Sequence, residues 1–149
     1  MGIRSFFAKP LAAYVAAQTR KWSTQPVVFQ NQILQANLKK AANTVFGRDH
    51  GFADIQSYAD FKKQVKVQDY EGLKTYIDQV VEGKPNIVWP GLPAYFAKTS
   101  GTTSGTKYIP ISEESKFTHF TNARNATLSY VHETGKADFL DGNLIFLSG

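Results

Sequence analysis

At 149 residues and 16.6 kDa the chain suffices for one domain or for a piece of a larger one. Hydrophobic residues at 42% and aromatics at 13% supply enough apolar surface for a core and exclude general disorder. The absence of Cys excludes a disulfide scaffold, a thiolate zinc or iron–sulfur site and a thiol nucleophile, and the three histidines have no tight ligand spacing.

The net charge of +5 is uneven. Up to Lys66 there are 10 Lys/Arg against 3 Asp/Glu, and from Val67 onward 7 against 9. A basic half can attract nucleic acid, an anionic membrane or a phosphate-bearing ligand, but these cations are scattered as pairs (Arg20-Lys21, Lys39-Lys40, Lys62-Lys63), as on a solvated helical surface. No apolar run approaches the roughly 20 residues that span a bilayer. Met1 to Ala17 superficially resembles a signal peptide, yet Lys9 and Pro10 interrupt it and no small-x-small site follows. Phe6 stands where a myristoylation motif needs Ser or Thr. The expectation is a cytoplasmic protein without membrane or nucleic-acid partners.

In chain order, Ser5 to Trp22 reads as a helix with Pro10 near its start or at a kink. Thr24 is the expected N-cap of a second helix, Pro26 to Phe46, with Gly47 ending it. Val27, Leu34, Leu38, Ala41 and Val45 form its apolar stripe, widened by Phe29 and Ile33. Asp54 to Val65 is a shorter helix with Ser57 as cap and Tyr58 and Phe61 as anchors. Asp69 caps the next, which buries Tyr70, Leu73, Ile77 and Val80-Val81 and ends at Gly83. Pro85, Pro90, Gly91 and Pro93 then break the chain. Ala94 to Lys98 and Lys107 to Ile111 are expected strands around a loop, Thr99 to Thr106. Ser112 caps a long helix, with Phe117, Phe120, Leu128 and Val131 apolar and Gly135 at its end. Asn143 to Gly149 is apolar enough for a strand buried on both faces. A chain ending on such a strand is expected to be the front part of a longer protein.

The chemistry lies in Thr99-Ser100-Gly101-Thr102-Thr103-Ser104-Gly105-Thr106-Lys107. Five of its first six residues carry hydroxyls, broken only by Gly101. Glycine lets backbone N–H groups turn toward an anion, hydroxyls add short donors, and Lys107 adds a point charge. A plain Ser/Thr/Gly hairpin loop is the competing reading. Against it stand the stiff threonines, the adjoining lysine and the apolar flanks Tyr95-Phe96 and Tyr108-Ile109-Pro110. Gly101 and Gly105 are separated by three residues, not the four of a Walker A loop, and the dinucleotide fingerprint is absent as well.

This loop resembles the phosphate-binding signature of the adenylate-forming superfamily. Ser104 stands where the common form has Gly, and no Pro-Lys-Gly closes it. That departure resembles the Gretchen-Hagen-type (auxin-responsive) acyl acid-amido synthetases, whose loop is followed by Lys, an apolar residue and Pro, as in Lys107-Tyr108-Ile109-Pro110. Asn43 to Phe52 and Phe61 to Val67, then Tyr70-Glu71 and Tyr76-Ile77, are similar to further segments of that family, so the resemblance runs from about Phe29 to Gly149.

The resemblance implies an α/β fold, with a helical part over about residues 1–84 and the start of a nucleotide-binding α/β portion over about 94–149. Residues 1–149 would then be the opening of a large adenylating domain. It implies a ligase that activates a carboxylic acid with ATP and Mg²⁺ and passes the acyl group to an amine such as an amino acid. Ser100, Gly101, Thr102, Thr103 and Gly105 would contact the ATP phosphates, and Thr99 and Ser104 would shape the loop. Lys107 either reaches a phosphate or flanks the loop. No residue of the segment would be a nucleophile, the magnesium ligands would lie outside it, and the chain alone would be inactive without the rest of its polypeptide.

His50 reads as a helix-end residue, and His119 and His132 as structural or surface residues. Asp138 and Asp141 read as capping or solvating a turn, and Trp22, Trp89 and the phenylalanines as core. Periodicity leaves open whether Arg124 and Asn125 face an acyl or nucleotide pocket. Two readings compete with the ligase. One is a helical module whose basic face (Arg20, Lys21, Lys39, Lys40) docks on an acidic partner or nucleic acid. The other is a self-sufficient phosphate-binding domain.

Overall fold

The computed structural model describes residues 2–99 and 105–143. Six helices and one hairpin follow in the order α1 (Ile3–Ser23), α2 (Pro26–Ala41), α3 (Val45–Asp49), α4 (Tyr58–Gln64), α5 (Tyr70–Val81), β1 (Tyr95–Lys98), β2 (Tyr108–Ile111) and α6 (Glu113–Thr134). Short 3-10 turns occupy Phe52–Asp54 and Asp138–Asp141. The described part is thus mainly helical with a two-stranded antiparallel sheet, as an incomplete α/β domain would be. The expected strand from Asn143 lies, beyond that residue, outside the described residues.

The chain divides into two compact units. The first combines Met1–Pro26 with Phe117–Gly149. Among the described residues its core joins Ala8, Ala12 and Val15 of α1 with Leu128 and Val131 of α6, with Ala137 and with half-buried Leu140. The i, i+4, i+7 spacing of Ala8, Ala12 and Val15 places them on one helix face, where small side chains let another element approach closely. Helix α1 runs unbroken through Pro10, which removes only the amide that would pair with the Phe6 carbonyl. The N-terminus of α1 is closed by Asp141, whose carboxylate accepts from the Gly2 amide at 2.7 Å, the Ser5 amide at 3.3 Å and the Ser5 hydroxyl at 2.7 Å. Asp141 therefore caps a helix 136 positions away from Ser5 in sequence, not the turn it sits in.

Thr24 is the C-cap of α1, in helical conformation with its hydroxyl donating to the Arg20 and Lys21 carbonyls, and among the described residues no α2 amide bonds to that hydroxyl, so the expected N-cap of α2 is not formed. The expected core role of the large aromatics fails for Trp22, Phe117 and Phe120, which are 52%, 73% and 72% exposed. Only the Leu128 and Val131 end of the α6 apolar set is buried.

The second unit spans Val27–Lys116. Helix α2 stops at Ala41, not Phe46, because Thr44 restarts the chain. The buried Thr44 hydroxyl donates to the Ala41 carbonyl at 2.7 Å and accepts the Gly47 amide at 2.9 Å. Gly47 is consequently a buried member of α3, and a Cβ there would run into the Ala41 carbonyl. The Val45 and Phe46 amides donate to the Asn86 and Ile87 carbonyls, 2.9 Å each, so the proline-rich segment completes the cap of α3. Ser57 and Asp69 cap α4 and α5 as expected, accepting from the Asp60 and Gly72 amides. Asp54 belongs to the preceding 3-10 turn, not to α4. Of the expected buried stripes, Leu38, Ala41, Ile77 and Val80 are buried, whereas Val27, Ile33, Tyr58 and Val81 are exposed. Gly83 and Gly135, at φ +85° and +69°, lie just beyond α5 and α6, where a left-handed residue ends a helix.

Candidate functional site: the foot of the Thr99–Lys107 loop

Strands β1 and β2 pair antiparallel in the register Tyr95↔Ile111, Phe96↔Pro110, Ala97↔Ile109 and Lys98↔Tyr108. The Ala94 amide donates to the Ile111 carbonyl at 2.7 Å, and the Thr99 amide to the Lys107 carbonyl at 3.1 Å. The second bond closes the neck of the loop. Thr99, Gly105, Thr106 and Lys107 are thereby placed at the foot of the hairpin; Ser100, Gly101, Thr102, Thr103 and Ser104 lie outside the described residues. Gly105 has φ +82° with nothing within 4 Å of where a Cβ would stand, a conformation that costs other residues strain.

Two lysines flank the neck. Lys98 Nζ sits 5.2 Å from the Tyr108 ring centre and Lys107 Nζ 5.4 Å from that of Tyr70. Neither forms an ion pair among the described residues, so both charges are held by aromatic faces and stay available to an anion. Phe96 meets Tyr108 edge to face at 6.0 Å, which stiffens the base. Tyr70, at the first turn of α5, also accepts the Tyr108 amide on its hydroxyl at 3.0 Å.

The donor set of this foot is cationic and hydroxylic, with no carboxylate in it. It suits a phosphate and not a divalent metal. Among the described residues no three His, Asp or Glu side chains are grouped to hold a metal ion. No step through magnesium is assigned to these residues.

The remaining candidates lie elsewhere. His50 closes α3, stacks on Phe46 at 4.0 Å and places Nδ1 2.9 Å from the Phe46 carbonyl oxygen. Phe52 and Tyr76 complete that aromatic cluster. The Tyr76 hydroxyl donates to Asp49 at 2.9 Å, and burial first, then this bond, raises its pKa. Beside the cluster Leu34, Leu38, Leu73, Ile77 and Trp89 line an open apolar pocket of about 390 Å³. His119 and His132 are exposed, and the Arg124 guanidinium donates to the neighbouring Asn125 amide oxygen. Sequence reading missed Tyr70 and Lys98 as parts of the loop foot. Spacing marked Tyr70 as apolar packing, and only strand register sets Lys98 opposite Tyr108.

No helix among the described residues is long and apolar enough to cross a membrane. No solved structure matches the chain. The chain is 36% identical over 88 residues to the indole-3-acetic acid-amido synthetase GH3.15 of Arabidopsis thaliana. That match takes in 57% of this chain but 14% of the relative, so the chain spans a small part of the relative's length. The sequence profile of the GH3 family N-terminal domain matches residues 15–142, which include α2 to α6 and the whole hairpin. Coverage this broad shows that the chain belongs to the GH3 family, the Gretchen-Hagen-type acyl acid-amido synthetases, and carries the family's N-terminal domain.

Proposed function

We propose that the chain is the opening part of the adenylating domain of an ATP-dependent acid-amido ligase, and that the Thr99–Lys107 loop receives the ATP phosphates. The observation that carries this reading is the loop foot: a hydrogen-bonded neck, a left-handed Gly105 and two lysines that have no acidic partner among the described residues. The family match spans this foot. When a carboxylate attacks the α-phosphate, negative charge grows on the departing pyrophosphate. Loop amides and hydroxyls of Ser100, Gly101, Thr102, Thr103 and Gly105 stabilise that charge, and Lys107 adds its cation. None of these residues would hold the magnesium that accompanies ATP, whose contribution would be to neutralise phosphate charge. The attacking group is the substrate's own carboxylate, so the segment needs no nucleophile.

The relative is named for joining indole-3-acetic acid in amide linkage, which supports a small carboxylic acid and an amine such as an amino acid as the substrate classes here. The matched stretch is 14% of that relative, so on this reading residues 1–149 by themselves are inactive, and the enzyme works in the cytoplasm. The test is carboxylate-dependent exchange of labelled pyrophosphate into ATP. The natural gene product should exchange, Gly101→Val and Thr102→Ala should abolish exchange, and the 149-residue chain should show none. Exchange by the isolated chain would overturn the partial-domain reading; none in the natural product with any acid would overturn adenylation.

A further inference from the structure

We infer that Tyr70 is the positioning residue of the phosphate loop: it fixes the point where the loop re-enters the sheet and orients Lys107 toward the ATP phosphates. The inference rests on the adenylation reading above and assigns to that site a residue from outside the loop. Its basis is the hydrogen-bond direction along β2. The carbonyls of Lys107 and Ile111 face β1, so the Tyr108 amide points to the other side of the strand. Among the described residues no strand lies on that side of β2, and an outward amide there needs a partner. Pro110, the other outward position within β2, has no N–H to satisfy. Tyr108 is therefore the strand residue whose outward donor must be met from elsewhere, and the Tyr70 hydroxyl meets it at 3.0 Å.

The same side chain serves twice. Its ring carries Lys107 Nζ at 5.4 Å, one residue before the anchored amide. A lysine has four rotatable side-chain bonds, and a ring face that attracts the ammonium narrows its choices before the nucleotide arrives. The Thr99 amide clamps the Lys107 carbonyl from the opposite side. Lys107 is thus held by its carbonyl, by the next residue's amide and by its own ammonium. Tyr70 is itself set by α5, whose N-terminus is capped by the Asp69 carboxylate on the Gly72 amide at 3.0 Å. Among the described residues no carboxylate pairs with this ammonium, so phosphate need not displace such an ion pair to reach it.

The experiment uses the natural gene product in pyrophosphate exchange, with KM measured separately for ATP and for the acid. Tyr70→Phe keeps the ring and loses the hydroxyl; it should raise KM for ATP about three- to tenfold, the worth of one hydrogen bond, and leave KM for the acid within about twofold. Tyr70→Leu, which also loses the ring, should raise it further. Lys107→Met should cost Tyr70→Leu protein less than it costs wild type, because both changes act through one ammonium. Melting temperature controls for folding, and amide exchange reports Tyr108 directly: it should accelerate in Tyr70→Phe. An active wild type with unchanged KM for ATP in Tyr70→Phe, or independent multiplication of the two substitutions, would overturn the inference alone. A wild type without exchange would overturn the adenylation reading and this inference with it.

Discussion

Asp141 and Ser5 show how much one carboxylate can decide. The Ser5 hydroxyl first, then the amides of Gly2 and Ser5, favour the charged form of Asp141 and hold its pKa below the ordinary carboxylate value of 3.8. A depressed folded pKa means that this stabilisation is fully present above the unfolded value and is lost as pH falls through the lower, folded one. Asp141→Asn should therefore melt lower than wild type at neutral pH, and the gap should close between about pH 5 and pH 2. Thermal melts of both proteins across that range check it; a constant gap would mean that the carboxylate charge is not what caps α1. The sequence offered no route to this pairing. Asp141 sits in a turn with ordinary cap composition, and the helix it serves starts at the other end of the chain.

At the scale of the element, the break between α2 and α3 rests on Thr44 and Gly47. Periodicity runs on through Val45, so a sequence reading carries the helix to Phe46. The chain turns because Thr44 exchanges hydrogen bonds with Ala41 and Gly47, and because Asn86 and Ile87 accept the next two amides. Thr44→Val keeps the shape and removes both side-chain bonds, which should cost about 1–2 kcal/mol in chemical denaturation. Gly47→Ala should cost about 1–3 kcal/mol, since the added methyl meets a backbone carbonyl that cannot step aside. The caps Ser57 and Asp69 were legible in sequence because a cap bonds three residues ahead, within one turn. The Thr44 break was not, because its completing carbonyls come from a segment some 40 residues later.

For the whole molecule, the positive charge of the first half is divided. Arg20 and Lys21 belong to one unit, and Lys39, Lys40, Lys62 and Lys63 to the other. Lys40 pairs with Glu114 and rests near the Trp89 ring, and Lys62 lies 5.1 Å from the Tyr58 ring centre. Cations spent on local partners release few counterions on binding a polyanion. DNA and RNA should therefore not be retarded by the protein in gel-shift assays at physiological salt; a strongly salt-dependent shift would revive the basic-module reading. If the reading proposed above holds, the natural product, read by blotting a native extract with antibody against this segment, should be several times 16.6 kDa, since the matched stretch is 14% of the amido synthetase relative; a band at 16.6 kDa would count against that reading.

Sequence by itself determined the family, the two strands of the hairpin and the limits of α5 and α6. These depend on contacts within one turn or one hairpin, where spacing along the chain equals spacing in space. Tertiary structure alone decided which apolar residues are buried, where α2 gives way to α3, that Asp141 closes α1, and that Tyr70 meets the strand after the loop. Each of these joins residues distant in sequence, and a hydrophobic period or a cap residue is the same symbol whether or not a distant partner arrives to use it.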